Sequence, residues 1–195
     1  MYLRMILFSI LLLCCAGTAL AQRPGPEFWR KVGCEPFEPR TKLEAIEERH
    51  STVVIKGFTR ITTVDVRGVR IDAVEMRELG NVARAKGLVV SLREAGERPD
   101  ENRAFVDYEE IEPLLNAIDA MSRVDETATR FVGFEALYKT QGDLEVGVFR
   151  QTRSGTAAIM STGICDRATA PLSLDDLAKV RAMIQEAKAR LDEIR

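Results

Sequence analysis

SLDDLAKVRAMIQEAKARLDEI, residues 173–194, is the stretch on which the fold turns. Ser173 and Asp176 stand at capping-box spacing just after Pro171, and Leu174, Leu177, Val180, Ile184, Ala187 and Leu191 recur at helical spacing. The pattern predicts one helix with a single apolar face, leaving Lys179, Glu186 and Lys188 toward water. DYEEIEPLLNAIDAMS, residues 107–122, lies over it without a gap: Asp107 to Ile111 match Ser173 to Leu177, Leu114 matches Val180, and Ile118 matches Ile184. There Tyr108, Ile111, Leu114, Leu115, Ile118 and Met121 share a face, while Pro113 moves the expected start of regular helix toward Glu112.

Before each of these helices the apolar period shortens toward two. Strands are predicted at Thr52 to Arg60, Val69 to Glu78 and Lys86 to Glu94, punctuated by Gly57, Gly68, Gly80 and Gly87. In the third of them Leu88, Val90 and Leu92 alternate against Val89, Ser91 and Arg93. A polar, acidic connection from Ala95 to Asn102 leads through Arg103-Ala104-Phe105-Val106 into the first helix. The order then recurs, with strands near Arg130 to Thr140, Asp143 to Gln151 and Thr156 to Thr162.

The expected class is α+β: two consecutive antiparallel β-meander-plus-helix units packed as one domain over 51–195, with halves at 51–123 and 124–195. Two origins fit the correspondence of the halves. One is internal duplication. The other is independent arrival at the same helix start, because acidic residues favour the positive end of a helix dipole.

Outward from this core, residues 22–50 form an arm and a short helix. Pro24, Pro26, Phe28, Trp29, Pro36, Phe37 and Pro39 suit an irregular segment packed by its rings, with Trp29 as an anchor. Thr41 to Glu44 has capping-box spacing and opens a helix to about Arg49.

The first 21 residues read as a cleavable signal peptide. Arg4 supplies the charged start, Met5 to Cys15 the apolar run, and Ala19-Leu20-Ala21 the small-residue cleavage site, with cleavage expected before Gln22. A run of about 11 apolar residues is short of the roughly 20 that span a bilayer, so no permanent membrane anchor is expected. Neither Cys14 nor Cys15 follows a small residue, as a lipidated cysteine normally does. The expected location is periplasmic or secreted.

Removing Arg4 from 28 basic residues leaves 27 against 30 acidic ones, a net charge of −3 for the exported chain. That balance argues against nucleic acid as the partner. Cys34 and Cys165 are the two cysteines that remain, and an oxidising compartment favours a disulfide between them; the alternative is two separate buried thiols.

Meander then helix, twice, resembles the whirly-type fold and the single-stranded-DNA-binding transcriptional coactivator family over about residues 52–194. The likeness rests on element order and on an acidic helix start after a last strand. It implies a fold. The family's binding of single-stranded nucleic acid across its sheets is not carried over, because this chain is read as exported, is acidic, and shows no basic-aromatic alternation in its expected strands. The chain also resembles exported bacterial proteins generally, a likeness that implies no activity.

Chemistry-bearing motifs are sparse. His50 is the single histidine, and no G-x-S-x-G nucleophile motif accompanies it. One histidine and two distant cysteines do not make a zinc site, Asp100-Glu101-Asn102 does not continue as a calcium loop, and the glycines from 133 to 163 are spaced too widely to cradle a phosphate. No metal, cofactor or catalytic residue is therefore assigned. Carboxylate-pair chemistry needs only two acids at suitable separation, which 30 acidic residues cannot rule out; Glu109, Glu110 and Glu112 read instead as first-turn charges.

Charge is unevenly placed. Residues 51–86 hold seven basic side chains against four acidic ones, and residues 93–127 hold four against eleven. The two regions form either a basic sheet face and an acidic helix face fit for docking, or pairs that neutralise each other within the fold. The resulting expectation is an exported binding or interaction module of a bacterial envelope, using its sheet surface or the arm from Gln22 to Arg40 on an envelope protein or small ligand. A carboxylate-dependent hydrolase and a structural envelope protein are the alternatives.

Overall fold

Thr41 behaves as its spacing predicts. In the computed structural model, which describes residues 38–66, 68–93, 101–125, 127–151, 155–163 and 167–194, its hydroxyl accepts from the Glu44 N–H at 3.1 Å while Glu44 Oε2 accepts from the Thr41 N–H at 3.0 Å. This capping box opens α1, Lys42–Glu47, whose Leu43 and Ile46 are buried. The aromatic segment 22–37, Cys34 and Cys165 lie outside the described residues.

Strands β1 (Val54–Val66), β2 (Val69–Glu78), β3 (Arg84–Arg93) and β4 (Glu101–Asp107) form one antiparallel sheet in sequence order, followed by helix α2 (Tyr108–Met121). Strands β5 (Phe134–Lys139), β6 (Glu145–Gln151), β7 (Gly155–Thr162) and β8 (Ala168–Leu172) form a second, followed by helix α3 (Leu174–Asp192). The class is α+β, as expected.

Each meander has four strands where three are expected. Strand β4 passes into α2 without a turn residue, so no sequence boundary separates them. Strand β8, Ala-Thr-Ala-Pro-Leu, carries Pro171, which lacks a ladder donor; the outermost position in its sheet tolerates that loss. Strand β1 runs on past Arg60, with a break in register between Ile61 and Val66. Helix α2 begins at Tyr108 despite Pro113, which is exposed and sits where water can serve the carbonyl it leaves without a partner.

One core joins the halves. Ile71, Leu88 and Val106 from the first sheet meet Val146, Met160 and Leu172 from the second, together with Ile111 and Ile118 of α2 and Val180 and Ile184 of α3. Helix α3 packs chiefly on β1 and β2, so the helix of the second unit covers the sheet of the first. Leu177, Val180 and Ile184 are fully buried, and burial of each such side chain is worth about 1.5–3 kcal/mol. Lys179 is exposed as expected, whereas Lys188 folds back over the Tyr108 ring at 5.8 Å and donates to Asp192. Arg181 donates to both carboxylate oxygens of Asp119, at 2.5 and 2.8 Å, and ties α3 to α2.

Candidate interaction face

Alternation along the strands sorts the first sheet into two faces. Ile61, Ile71, Ala73, Leu88, Val90 and Val106 face the core. The opposite face is divided. One end is closed by α1, where Leu43 and Ile46 pack on Val74, Met76, Ala85, Val89 and Phe105. The other end, beyond α1, is covered by no other described helix or strand and carries Lys56, Phe58 and Arg60 from β1, Arg70 and Asp72 from β2, Ser91 and Arg93 from β3, and Arg103 from β4.

This open face is cationic by construction. Asp72, buried at 7 % exposure, is shared by Arg60 at 3.1 Å and Arg70 at 3.4 Å. Glu47 of α1 is shared by Lys56 at 3.3 Å and Arg103 at 2.8 Å. Each of these carboxylates thus serves two cations, while Arg93 stands opposite Glu101 in register on the same face. Arg70 also donates to the buried Ser91 hydroxyl at 3.3 Å. Lys56 and Arg103 lie 5.9 and 5.3 Å from the centre of the Phe105 ring, which fixes their stems on the sheet. Phe58 stands among them 63 % exposed.

The outer face of the second sheet makes a contrast: Glu135, Leu137, Lys139, Glu145 and Phe149 project from it, with no such excess of cations. The ion pairs on this face of the first sheet stay within residues 51–86 or run to Glu47, so they do not join the basic stretch to the acidic one, and two-to-one sharing leaves a net positive surface. Lys56-Phe58-Arg60 is also a basic-aromatic-basic alternation that the sequence reading denies. It lies wholly within the strand expected at Thr52 to Arg60, and the period of two along that strand was enough to show it.

A recess of about 290 Å³ lies elsewhere, lined by Lys42, Arg84, Lys86, Tyr108, Glu109 and Ile194. Its groups are already engaged with one another. Lys42 pairs with Glu109 at 2.5 Å, and Lys86 donates to the carbonyls of Leu191 and Ile194 at 2.8 and 3.3 Å while sitting 4.4 Å over the Tyr108 ring. The Tyr108 hydroxyl donates to Asp192, which raises the phenol's pKa above its ordinary value and suits a latch between helix ends.

The first-turn carboxylates of α2 do not converge. Glu109 turns to Lys42, Glu110 accepts from the Gln141 N–H at 3.0 Å, and Glu112 faces Lys188 at 4.0 Å. Hydrogen bonds to Lys42, Arg181, Thr127, Lys179 and Tyr108 hold Glu109, Asp119, Asp125, Asp176 and Asp192 below the usual carboxylate range. A general acid needs the opposite displacement. His50 is exposed in the connection after α1. Among the described residues there is no group of three or more His, Cys, Asp or Glu placed to hold a metal, and no helix long and apolar enough to cross a membrane.

No protein-family model and no curated protein sequence matches this chain.

Proposed function

We propose that this protein is an exported binding module of a bacterial envelope, periplasmic or secreted, that engages an anionic partner through the open face of its first sheet. The observation that carries the reading is the cluster of Lys56, Arg60, Arg70 and Arg103 around exposed Phe58, in which Asp72 and Glu47 are each shared by two cations. The pairs that Lys56 and Arg103 make with partly exposed Glu47 are worth only about 0–1 kcal/mol each. An incoming anion can therefore recruit these cations at little cost, while Phe58 adds apolar contact area. The first-turn carboxylates of α2 turn to three separate partners and form no convergent pair, which favours this reading over a carboxylate-dependent hydrolase.

Export rests on Arg4, the apolar run to Cys15 and Ala19-Leu20-Ala21. It expects N-terminal sequencing of the protein from cells to begin at Gln22; a cytoplasmic product that retains Met1 would refute it. The same compartment supports a Cys34–Cys165 disulfide, which titration of the denatured, unreduced protein tests: two free thiols per chain would exclude the bond.

The binding face is tested by placing a photo-crosslinking residue at position 58 or at position 137 and irradiating cells of the source. Discrete, salt-sensitive adducts at 58 and none at 137 are expected. Equal labelling at both positions, or none at either, would overturn the reading.

A further inference from the structure

We propose that the edge of β1 over residues 54–60 accepts an extended acidic polypeptide segment as a fifth strand of the first sheet. This rests on the binding-module reading and narrows its partner to one chemistry.

The edge is open. Strand β1 is outermost in the order β1-β2-β3-β4, and Ile55 to Arg60 are exposed on both faces of the sheet. The Leu79 N–H donates to the Val53 carbonyl at 2.9 Å, so the alternation of an antiparallel ladder directs the backbone groups of Val53, Ile55, Gly57 and Thr59 toward β2. Those of Val54, Lys56, Phe58 and Arg60 then point away from the sheet. A row of outward N–H and C=O groups is complementary to another polypeptide strand. A nucleic acid or a polysaccharide has no matching ladder, and on this ground the peptide is preferred among anions.

Charge selects which strand. The residues whose backbone groups face outward are the ones whose side chains lie on the cationic face, so a strand added at this edge sets every second side chain beside Lys56, Phe58 and Arg60. Directly opposed unlike charges stabilise cross-strand pairs and like charges oppose them. A second copy of β1 pairing about Phe58 would set Lys56 against Arg60, which disfavours self-association. Acidic side chains fit.

The alternate side chains of the added strand meet the other face of β1. There a recess of about 390 Å³ opens between the strand and the end of α3, lined among others by Gly57, Thr59, Ala73, Arg190 and Ile194. Gly57 leaves this space free without being required by the backbone: it lies outside the positive-φ region, and a Cβ there would meet only the Glu75 carbonyl, at 4.0 Å. The expected partner sequence therefore alternates acidic with small or medium apolar residues.

The test uses the purified protein with three fluorescent probes: a ten-residue Glu-Val repeat, a ten-residue Lys-Val repeat and a twelve-nucleotide oligothymidylate. Anisotropy should show the Glu-Val peptide binding at least tenfold more tightly than either of the others, and amide exchange should slow at Lys56, Phe58 and Arg60. Lys56→Glu with Arg60→Glu should weaken binding at least tenfold. Gly57→Val should weaken it at least fivefold, with a urea midpoint equal to or above that of the parent, since a side chain there fills the recess and suits the strand.

Binding of oligothymidylate as tight as that of the peptide, or peptide binding without amide protection at the edge, would overturn strand addition while leaving the cationic face as a binding surface. Failure of all three probes, with crosslinks at position 58 persisting in cells, would do the same. Failure of the probes together with loss of those crosslinks would remove both readings.

Discussion

Asp107 Oδ2 accepts a hydrogen bond from the backbone N–H of Lys42 at 2.7 Å, and so the last residue of β4 closes the start of α1. Its other oxygen accepts from the Leu43 N–H at 3.2 Å. Two of the donors left free at a helix N-terminus are thereby satisfied by a residue 65 positions away, itself 6 % exposed. Asp107 also occupies the N-cap position of α2 but makes no side-chain cap there.

Asp107→Asn keeps the shape and removes the charge, and the amide nitrogen cannot accept from either N–H. The expected cost is about 1–3 kcal/mol, the range for charge-assisted and buried hydrogen bonds. Urea denaturation would read it as a lower midpoint at unchanged slope. A loss below about 0.5 kcal/mol would show that the α1 contact contributes nothing net.

Asp107 marks the boundary of what was legible. Aligning it with Ser173 correctly places two helices after two meanders, because capping and apolar periodicity are local signals. The same alignment sets Asp107 opposite the capping Ser173 but gives no sign of its tertiary cap on α1, since no local pattern records a partner 65 residues away. Strand β4 was hidden by direct passage into α2, and β8 by Pro171. The cationic face was half visible: the basic excess of residues 51–86 could be counted, but Arg103 belongs to an acidic stretch and meets Lys56 only at Glu47 of α1 and over the Phe105 ring.

Asp176 gives a pH prediction. The Lys179 ammonium, then the Ser173 hydroxyl and N–H, lower its pKa to about 2 from an ordinary value of 3.8. Its folded-state pKa lies below the unfolded one, so its stabilisation of α3 is present above about pH 3.8 and is lost as pH falls through about 2. A carboxyl-carbon NMR titration should place its midpoint near 2. A midpoint near 3.8 would mean that the capping interactions do not persist in solution.

Ile184, fully buried on α3, and Gln185, exposed beside it, test the docking of that helix. Ile184→Ala should cost about 2–5 kcal/mol, and Gln185→Ala no more than about 0.5 kcal/mol. Equal shifts in urea midpoint would contradict the packing of α3 on the first sheet.

Lys86 bridges the halves by donating to the Leu191 and Ile194 carbonyls and lying over the Tyr108 ring. Lys86→Met retains the stem and removes the donor, at an expected cost of about 1–2 kcal/mol from the lost charge-assisted bonds. Amide exchange should accelerate first in the last turn of α3. Unchanged exchange there would show that Lys86 does not hold the helix end.

Gly142 and Gly57 should respond to the same substitution in opposite directions. Gly142 bridges to Phe105 across the two sheets, and a Cβ there would lie 2.1 Å from the Phe105 carbonyl oxygen. That oxygen belongs to a strand held in register by Val89, so it cannot give way as the end of a long side chain would. Neither glycine has positive φ. By unfolded-state entropy alone, alanine would stabilise either position by about 0.4–1 kcal/mol. Sterics reverse the sign at one of them: Gly142→Ala should destabilise by about 1–3 kcal/mol through overpacking, whereas Gly57→Ala, with 4.0 Å to its nearest neighbour, should be neutral or stabilising. Urea midpoints of the two variants measured side by side decide the matter. If Gly142→Ala were as stable as the parent, the close approach of the β5–β6 turn to β4 would be wrong, and with it the contact through which the second unit braces the open sheet of the first.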